Sequence, residues 1–529
     1  MTTRELLDRG PITYASASNK EKNIINQLAY VPATKNLYEK LWECRDTICA
    51  LTSHHLRLSC SDTCEVLPSR QWLRGSFNVC IPVQVKSGTS CRKFILRCPM
   101  PHKLAESRYP GTVDEKLRCE VGTYAWMQST CSDVRIPFLY GFGFSNQRHF
   151  THEKERPFYI RLARMFWRSL YSLLRYADLS HYTPNPTAHN LPTAYMLLEH
   201  IDSGTGQMLS NTWDKWREDP IRQKRLHQGI AHLMLSLARI PQPRIGAFQF
   251  HDNCTVTLSN RPLTCAIMML ENDGTPRNIQ RNDTYTCTEP FVSDMITLHD
   301  NYLLSNPNAV YDAGDCHSQM ATRTLLRALS HQYIRKEFRN GPFLLQLSDF
   351  HASNIFVDEE WNITCLIDLE WVCALPVEML NVPYWLTGCA IDGLREREDF
   401  EKFNTIRQEF MIQFEDEERK MVLGHKLPLA RVMDEMWESK GVWFWYCLDS
   451  VNAMLVVLSD HVCPKFVSRL LPEAEEMLSR FWREDCGRIV EKKLADQERY
   501  DVELRYVFGE GVDGSIGQVA GVSGSQNME

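Results

Sequence analysis

The spacing of apolar positions changes several times along the chain, and the changes divide it. Residues 36–52, NLYEKLWECRDTICALT, place Leu37, Leu41, Ile48 and Leu51 near helical spacing, which predicts a helical extension over residues 1–64. From about residue 65 the pattern turns strand-like in RGSFNVCIPVQV, breaks at Lys86-Ser87-Gly88, and resumes in CRKFILRCPM, so a hairpin is expected. The next segment, TVDEKLRCEVGTYAWMQ, returns to steps of three and four through Val113, Leu117, Val121, Tyr124 and Ala125. On that helix Glu120 flanks the apolar face and reaches the interior, while Glu115 points away. IPFLYGFGF and AYMLLEHI, bounded by Pro, Gly and Asp, read as two further strands.

Between those two strands lies an insertion near residues 150–180. Its core, FYIRLARMFWRSLYSLLRY, sets Arg161, Arg164, Arg168 and Arg175 on one helical side and aromatics on the other. The expectation is a surface helix that packs its aromatics on its own lobe; a helix lying on a membrane surface would carry the same pattern. Beyond residue 205 helical periodicity dominates, at 221–238, 319–336, 403–415 and 441–459, and strand signals return only around 344–367. After Tyr506 the chain passes through Val507 and Phe508 into GEGVDGSIGQVAGVSGSQNME, a run too poor in apolar residues to pack. This is an α+β order: helical extension (1–64), strand-rich lobe (65–200), helical lobe (201–504) and disordered tail (505–529).

Composition adds exclusions. The chain's 529 residues, 43% hydrophobic and 24% charged, suffice for a large globular core. Lys plus Arg total 59 against 66 Asp plus Glu, a formal charge of -7, so nothing overall favours binding to a nucleic-acid backbone. The N-terminus lacks an apolar signal region and no stretch is long enough to span a bilayer, so a cytoplasmic protein is expected. The 19 cysteines are scattered through apolar runs and read mainly as buried thiols. His54, His55, Cys60 and Cys64 cluster without CxxC spacing or a second pair, so no zinc site is expected there.

The stretch LSDFHASNIFVDEEWNITCLIDLEW, residues 347–371, combines acids with apolar runs. It reads as a polar loop (SDFHASN), a short strand (IFV), a turn (DEEWN) and a second strand (ITCLI) ending at Asp368. The returning hairpin brings Asp349, Asn354 and Asp368 to one level. Asn354 and Asp368 offer hard oxygens suited to Mg²⁺, and Asp349 can orient a hydroxyl and accept its proton. An Asp, an Asn five residues on, and a strand-borne Asp form a layout suited to phosphoryl transfer. The plainer alternative is that Asp349 and Asn354 cap turns and Asp368 ends a strand.

These residues, in this order, resemble the aminoglycoside phosphotransferase family of the protein-kinase-like fold, especially its branch in filamentous fungi. The family reads HGDLHPxNIxVD then xIDWE; here the matching runs are LSDFHASNIFVD and LIDLEW. GSFNVCIPVQV resembles the phosphate-covering turn, FILRCPM the strand with the basic phosphate contact, DEKLRCEVGTYAWM the helix with its acidic partner, and MLLEHIDSG the interlobe hinge. IGAFQF and SNRPL also resemble family features, and the likeness spans roughly residues 65–470.

The resemblance implies a two-lobed fold: a small antiparallel-sheet N-lobe with one key helix, and a large, mainly helical C-lobe. It implies Asp349 as the catalytic acid-base residue, Mg²⁺ held by Asn354 and Asp368, and Arg97 on the phosphates of ATP and paired with Glu120. Ser76 and Asn78 would approach the phosphates, and backbone near Glu199 and Ile201 would hold adenine. The chain departs from the pattern at Leu347, in place of a loop-fixing His, at Ser348, in place of Gly, and at Arg97, where many kinases use Lys.

The expected activity is transfer of the γ-phosphate of ATP to a hydroxyl of a small molecule. Pro376 follows Asp368 too closely to leave room for a long peptide-docking segment. Trp371, Trp385, Trp443, Trp445 and Asp449 are candidates to line an acceptor site, although such aromatics more often belong to the core. The alternative is a nucleotide-binding pseudokinase scaffold, which the missing His at 347 favours and the joint presence of Asp349, Asn354 and Asp368 opposes.

Overall fold

The strands Asn78–Ser87 and Ser90–Pro99 pair antiparallel from Asn78 opposite Pro99 to Ser87 opposite Ser90. Gly88 closes the turn at φ +60°, where a side chain would be strained. In the computed structural model, which describes residues 2–395, 397–468 and 470–509, this hairpin is part of an eight-stranded sheet, toward one side of it. The main path of the sheet runs Tyr182–Pro184, His149–His152, Leu139–Gly143, Tyr195–Glu199, Ser90–Pro99, Asn78–Ser87 and Thr63–Val66. Leu73–Arg74 also pairs with Asn78–Ser87.

Alternation along the strands decides what each face meets. Phe94, Leu96 and Cys98 join Tyr195 and Leu197 in a core with Leu37, Leu41, Ile48 and Leu51 from the helices Tyr30–Glu43 and Arg45–Leu56. Ile95, Met196 and Leu198 face the other way, into a core shared with the helix Thr112–Thr130. Arg97 falls in step with Ile95, so period two delivers it to the side where that helix lies. The same core continues through the helices Pro220–Ala238 and Gly441–Asp449.

The helical expectations at 221–238, 319–336 and 403–415 correspond to Pro220–Ala238, Ala313–Tyr333 and Arg397–Lys420. The 441–459 stretch breaks after Asp449 and resumes at Met454. Strand structure in this half extends further than the sequence pattern suggested: Ala247–Phe250 pairs with Thr255–Asn260, and Phe343–Leu347 pairs with Val372–Pro376. The apolar run FLLQL is thus the partner of VCALP.

Three expectations need correction. The N-terminal segment is not wholly helical, because it opens with a hairpin of Thr3–Leu6 and Gly10–Thr13. Tyr506 does not begin the tail, because the helix Cys486–Phe508 carries buried Leu504 and Phe508 onto Leu6, Ile12 and Ile24; the expected disordered tail beyond residue 509 lies outside the described residues. Arg4 donates to the Val507 carbonyl at 2.9 and 2.6 Å, and Tyr14 Oη donates to Asp501 at 2.6 Å, so the two ends of the described chain are clasped together.

The third correction concerns the inserted helix, Phe158–Leu173. Most of its aromatics do not pack on the body of the protein: Tyr171 rests partly buried against the core, but the helix has no fully buried residue, and Phe158, Tyr159, Phe166 and Leu173 are exposed. The arginines turn inward instead. Arg164 donates to the carbonyls of Ser180 and Tyr182, and Arg168 donates to both Glu153 oxygens.

Truncating Leu504, fully buried in the terminal clasp, to Ala is expected to cost about 2–5 kcal/mol of local stability. Amide exchange should then speed up over residues 3–28 before it does so in the central sheet. Uniform exchange across both would show that the clasp does not open on its own.

Candidate functional site

Arg97 is the centre of a buried charge cluster. Its guanidinium reaches Glu120 at 2.6 Å, Asp368 at 2.5 Å and Glu370 at 3.0 Å, tying the hairpin to the Thr112–Thr130 helix and to the segment after Ile363–Leu366. Lys116, one helical turn before Glu120, bonds Glu120 at 3.2 Å and pairs with Glu370. Asn78 closes the cluster, donating to Glu370 at 2.7 Å and accepting from Lys116 at 3.0 Å. Burial works against the Arg97 charge, but Asp368, Glu120 and Glu370 hold its pKa well above the ordinary value. Burial likewise opposes the Lys116 charge, and Glu370 and Glu120 more than offset it.

The same helix is fixed a second time near its start. Glu115, expected to point away from the core, is buried and receives Arg261 Nε at 2.7 Å and Arg281 Nε at 3.1 Å. Arg261, wholly buried within SNRPL, also reaches Glu271 at 2.5 Å. The wheel misplaced Glu115 because this helix is enclosed on more than one side, so a polar flank finds buried cations where an amphipathic surface helix would meet water.

The loop that carries Asp349 is held from both sides. Ser348 donates its N–H and its hydroxyl to the Trp371 carbonyl at 3.1 and 2.9 Å, which anchors the loop although position 347 is Leu. Asn354 donates Nδ2 to the Asp349 carbonyl at 2.7 Å, and its own carbonyl accepts from Ile367 N at 2.9 Å. Asp349, Asn354 and the segment leading to Asp368 are therefore linked by one side-chain and one backbone hydrogen bond. In the hairpin turn between them, Asp358 Oδ1 accepts from the N–H groups of Glu360 and Asn362, each at 2.9 Å. Trp361 of that turn is buried and stacks on Trp213 with ring centroids 5.6 Å apart.

A cavity of about 600 Å³ brings together Ser76, Asn78, Arg97, Glu199, Ile201, Asp349, Asn354 and Asp368. Glu120 does not line it and acts on it through Arg97 and Lys116. Asn78 borders the cavity, but both ends of its amide are occupied within the charge cluster. Ser76 follows Gly75, whose N–H donates to the Asn78 carbonyl at 2.9 Å across a tight turn. The Glu199 carboxylate faces away from ligand work, accepting from Arg135 and from Phe138 N at 3.0 Å each.

Asp349 also borders a second cavity of about 500 Å³ with Asp449, Tyr384, Trp385 and Trp445. Of the tryptophans considered as acceptor lining, Trp385 and Trp445 are there, whereas Trp443 is fully buried and stacked on His461 and Trp371 packs edge-on against Phe77. The clasped N-terminal segment supplies Arg9 and Lys22 to this cavity and to a smaller one of about 280 Å³ that also touches Asp349. Asp8 of the same segment bonds Arg74 at 2.5 Å and Lys103 at 3.1 Å beside the Gly75 turn.

Burial raises the Asp349 carboxyl to about 6; nearby His351 opposes the rise, while Glu370 and Asp368 add to it. Asp449, half-buried at the wall of the second cavity, is also raised to about 6 by burial and by the charge of Asp349. Such shifts favour groups that gain and lose protons near neutrality.

Sequence reasoning missed Lys116 and Glu370, although each had a signal. Lys116 stands four residues before Glu120, and Glu370 two residues after Asp368. Arg9 and Lys22 had none, because only docking of the N-terminal segment brings them near Asp349.

Neither a family model nor a curated protein matches the chain. Among solved structures it is similar to an ethanolamine kinase of Plasmodium vivax, at 13% identity over 82% of this chain and 85% of that chain, with a TM-score of 0.32. It is also similar to a spectinomycin phosphotransferase solved with ADP and spectinomycin, at 11% identity over 86% of this chain and 98% of that chain, with a TM-score of 0.30. At these values neither likeness fixes the activity of this chain.

Two outcomes follow from the geometry. Lys116→Met leaves Glu120 and Glu370 short of a buried cation, and thermal or urea unfolding should show a loss of about 3–5 kcal/mol; a neutral result would mean that Arg97 alone balances the cluster. Asp449→Asn removes a carboxyl whose folded pKa lies above its unfolded value. A raised carboxyl pKa lowers stability as pH rises from about 4 to about 6, so the variant should gain stability over the parent across that window and hold the gain at pH 7.

Proposed function

We propose that the protein is a small-molecule kinase that transfers the γ-phosphate of ATP to a hydroxyl group. The observation that carries this reading is the convergence of Asp349, Asn354, Asp368 and Arg97 on one cavity, with Asp349 opening onto a second. The first cavity is about 600 Å³, room for a nucleotide. Ile95, Leu198, Met208 and Phe356 give it an apolar wall beside the Glu199–Ile201 segment, where a base would lie. Ser76 and Arg97 border the same space, where the phosphates would lie.

The donor set fits Mg²⁺. Asn354 spends its amide nitrogen on the Asp349 carbonyl, which leaves its side-chain oxygen as the free end, and Asp368 adds a carboxylate. The Arg97 cluster sets two cations against three carboxylates, a surplus of negative charge beside the cavity. When bound, Mg²⁺ would neutralise charge on the phosphates, with Asn354 and Asp368 as its protein ligands.

The chain's own part in the reaction is positioning and proton transfer. The acceptor oxygen bonds to the γ-phosphorus, the bond from that phosphorus to the β-phosphate oxygen breaks, ADP leaves, and the hydroxyl proton passes to Asp349. A carboxyl raised to about 6 is ionised at neutral pH and is a better proton acceptor than an ordinary aspartate. Tyr384, Trp385, Trp445 and Asp449 suit an organic acceptor, and Arg9 and Lys22 close its site from the N-terminal segment.

The test is transfer from labelled ATP with Mg²⁺ to a panel of hydroxylated metabolites and aminoglycosides, beside Asp349→Asn. Transfer should fall by about 10²- to 10⁴-fold in the variant, while nucleotide-induced thermal stabilisation persists. The parent rate should climb as pH rises through about 6 and then level, as Asp349 loses its proton. Equal nucleotide stabilisation in both proteins with no transfer by either would instead identify a nucleotide-binding scaffold.

A further inference from the structure

The helix Phe158–Leu173 is inside out relative to an ordinary surface helix. Its large apolar side chains face solvent: Tyr159 is 71% exposed, Phe158 69%, Phe166 65% and Leu173 79%, with Leu162 and Met165 between them. Two of its cations face the protein, where Arg168 pairs with Glu153 and Arg164 caps the carbonyls of Ser180 and Tyr182. Rolling the helix to bury its aromatics would break those bonds and leave Glu153 without its arginine. The inward arginines therefore hold the apolar face outward.

The charge on this segment is one-sided. No Asp or Glu occurs from Pro157 to Ala177, in a chain whose formal charge is -7. Of the remaining arginines, Arg161 and Arg175 are exposed and make no ion pair within the described residues. A face of Phe, Tyr, Leu and Met edged by unpaired arginines suits an interface that is apolar below and anionic above. A second copy suits it less, because a two-fold contact would bring arginines together with no acid on the face to meet them. No described helix is long and apolar enough to cross a bilayer, and this one would lie along its surface.

We infer that this helix docks the protein on an anionic phospholipid surface. The inference is independent of the proposed transferase activity, since no residue of the helix borders the cavities that contain Asp349.

The test is flotation of the full-length protein with vesicles of phosphatidylcholine alone and with about a third phosphatidylserine. The parent protein should float with the anionic vesicles and be released by salt. Leu162→Ser with Phe166→Ser should reduce binding by about ten-fold or more, and Arg161→Gln with Arg175→Gln should weaken it and flatten the salt dependence. Because the substituted side chains are exposed, thermal unfolding should be unchanged in both variants. The inference is overturned if the parent floats with neither vesicle or if the serine variant floats as well as the parent. It is also overturned if sedimentation shows a dimer of the parent that the serine variant loses, which would assign the face to a second copy.

Discussion

The arrangement rests on a buried arginine that three carboxylates share. Arg97 joins the hairpin closed at Gly88 to Glu120 on the crossing helix and to Asp368 and Glu370 beyond the second hairpin. The Glu115 cluster with Arg261 and Arg281 also ties the crossing helix to the helical half, but of the two only the Arg97 cluster reaches Asp368. Burying so much charge is costly, and the cost is offset only because every partner is present, Lys116 and Asn78 included. Asp368 has φ +65°, a conformation unfavourable for a residue with a side chain, and its ion pair with Arg97 is one contact that holds it there.

Much of this was legible from residue spacing. The two strands around Gly88, the helix with Glu120, and the loop and hairpin from Ser348 to Asp368 follow from changes of period and from turn residues. The pairing of Arg97 with Glu120 came from the family resemblance, and alternation along the strand explains why the two meet. What spacing could not supply depends on how many sides of an element are covered. Glu115 is polar and lies off the apolar stripe, yet Arg261 and Arg281 enclose it. The Phe158–Leu173 helix shows the opposite failure: its pattern locates two faces correctly, but nothing local says which one the body takes. Arg168 and Glu153 decide that by an ion pair.

The N-terminal segment was the least legible part. Its hairpin is short and its apolar residues few, so no periodicity marks it. Its position comes from the distant helix Cys486–Phe508, where Tyr500, Leu504 and Phe508 receive Leu6, Ile12 and Ile24. That clasp brings Asp8 to the Gly75 turn and Arg9 and Lys22 to the cavities around Asp349. The segment is thus a wall of the site, which gives a physical reason for the chain to carry an extension ahead of its sheet.

The most direct test of the central claim is diffraction at the manganese edge from crystals grown with Mn²⁺ and a non-hydrolysable ATP analogue. The account predicts one anomalous peak between the side chains of Asn354 and Asp368, with the triphosphate beside Arg97. A nucleotide bound away from that cavity, or a metal peak that touches neither residue, would contradict it.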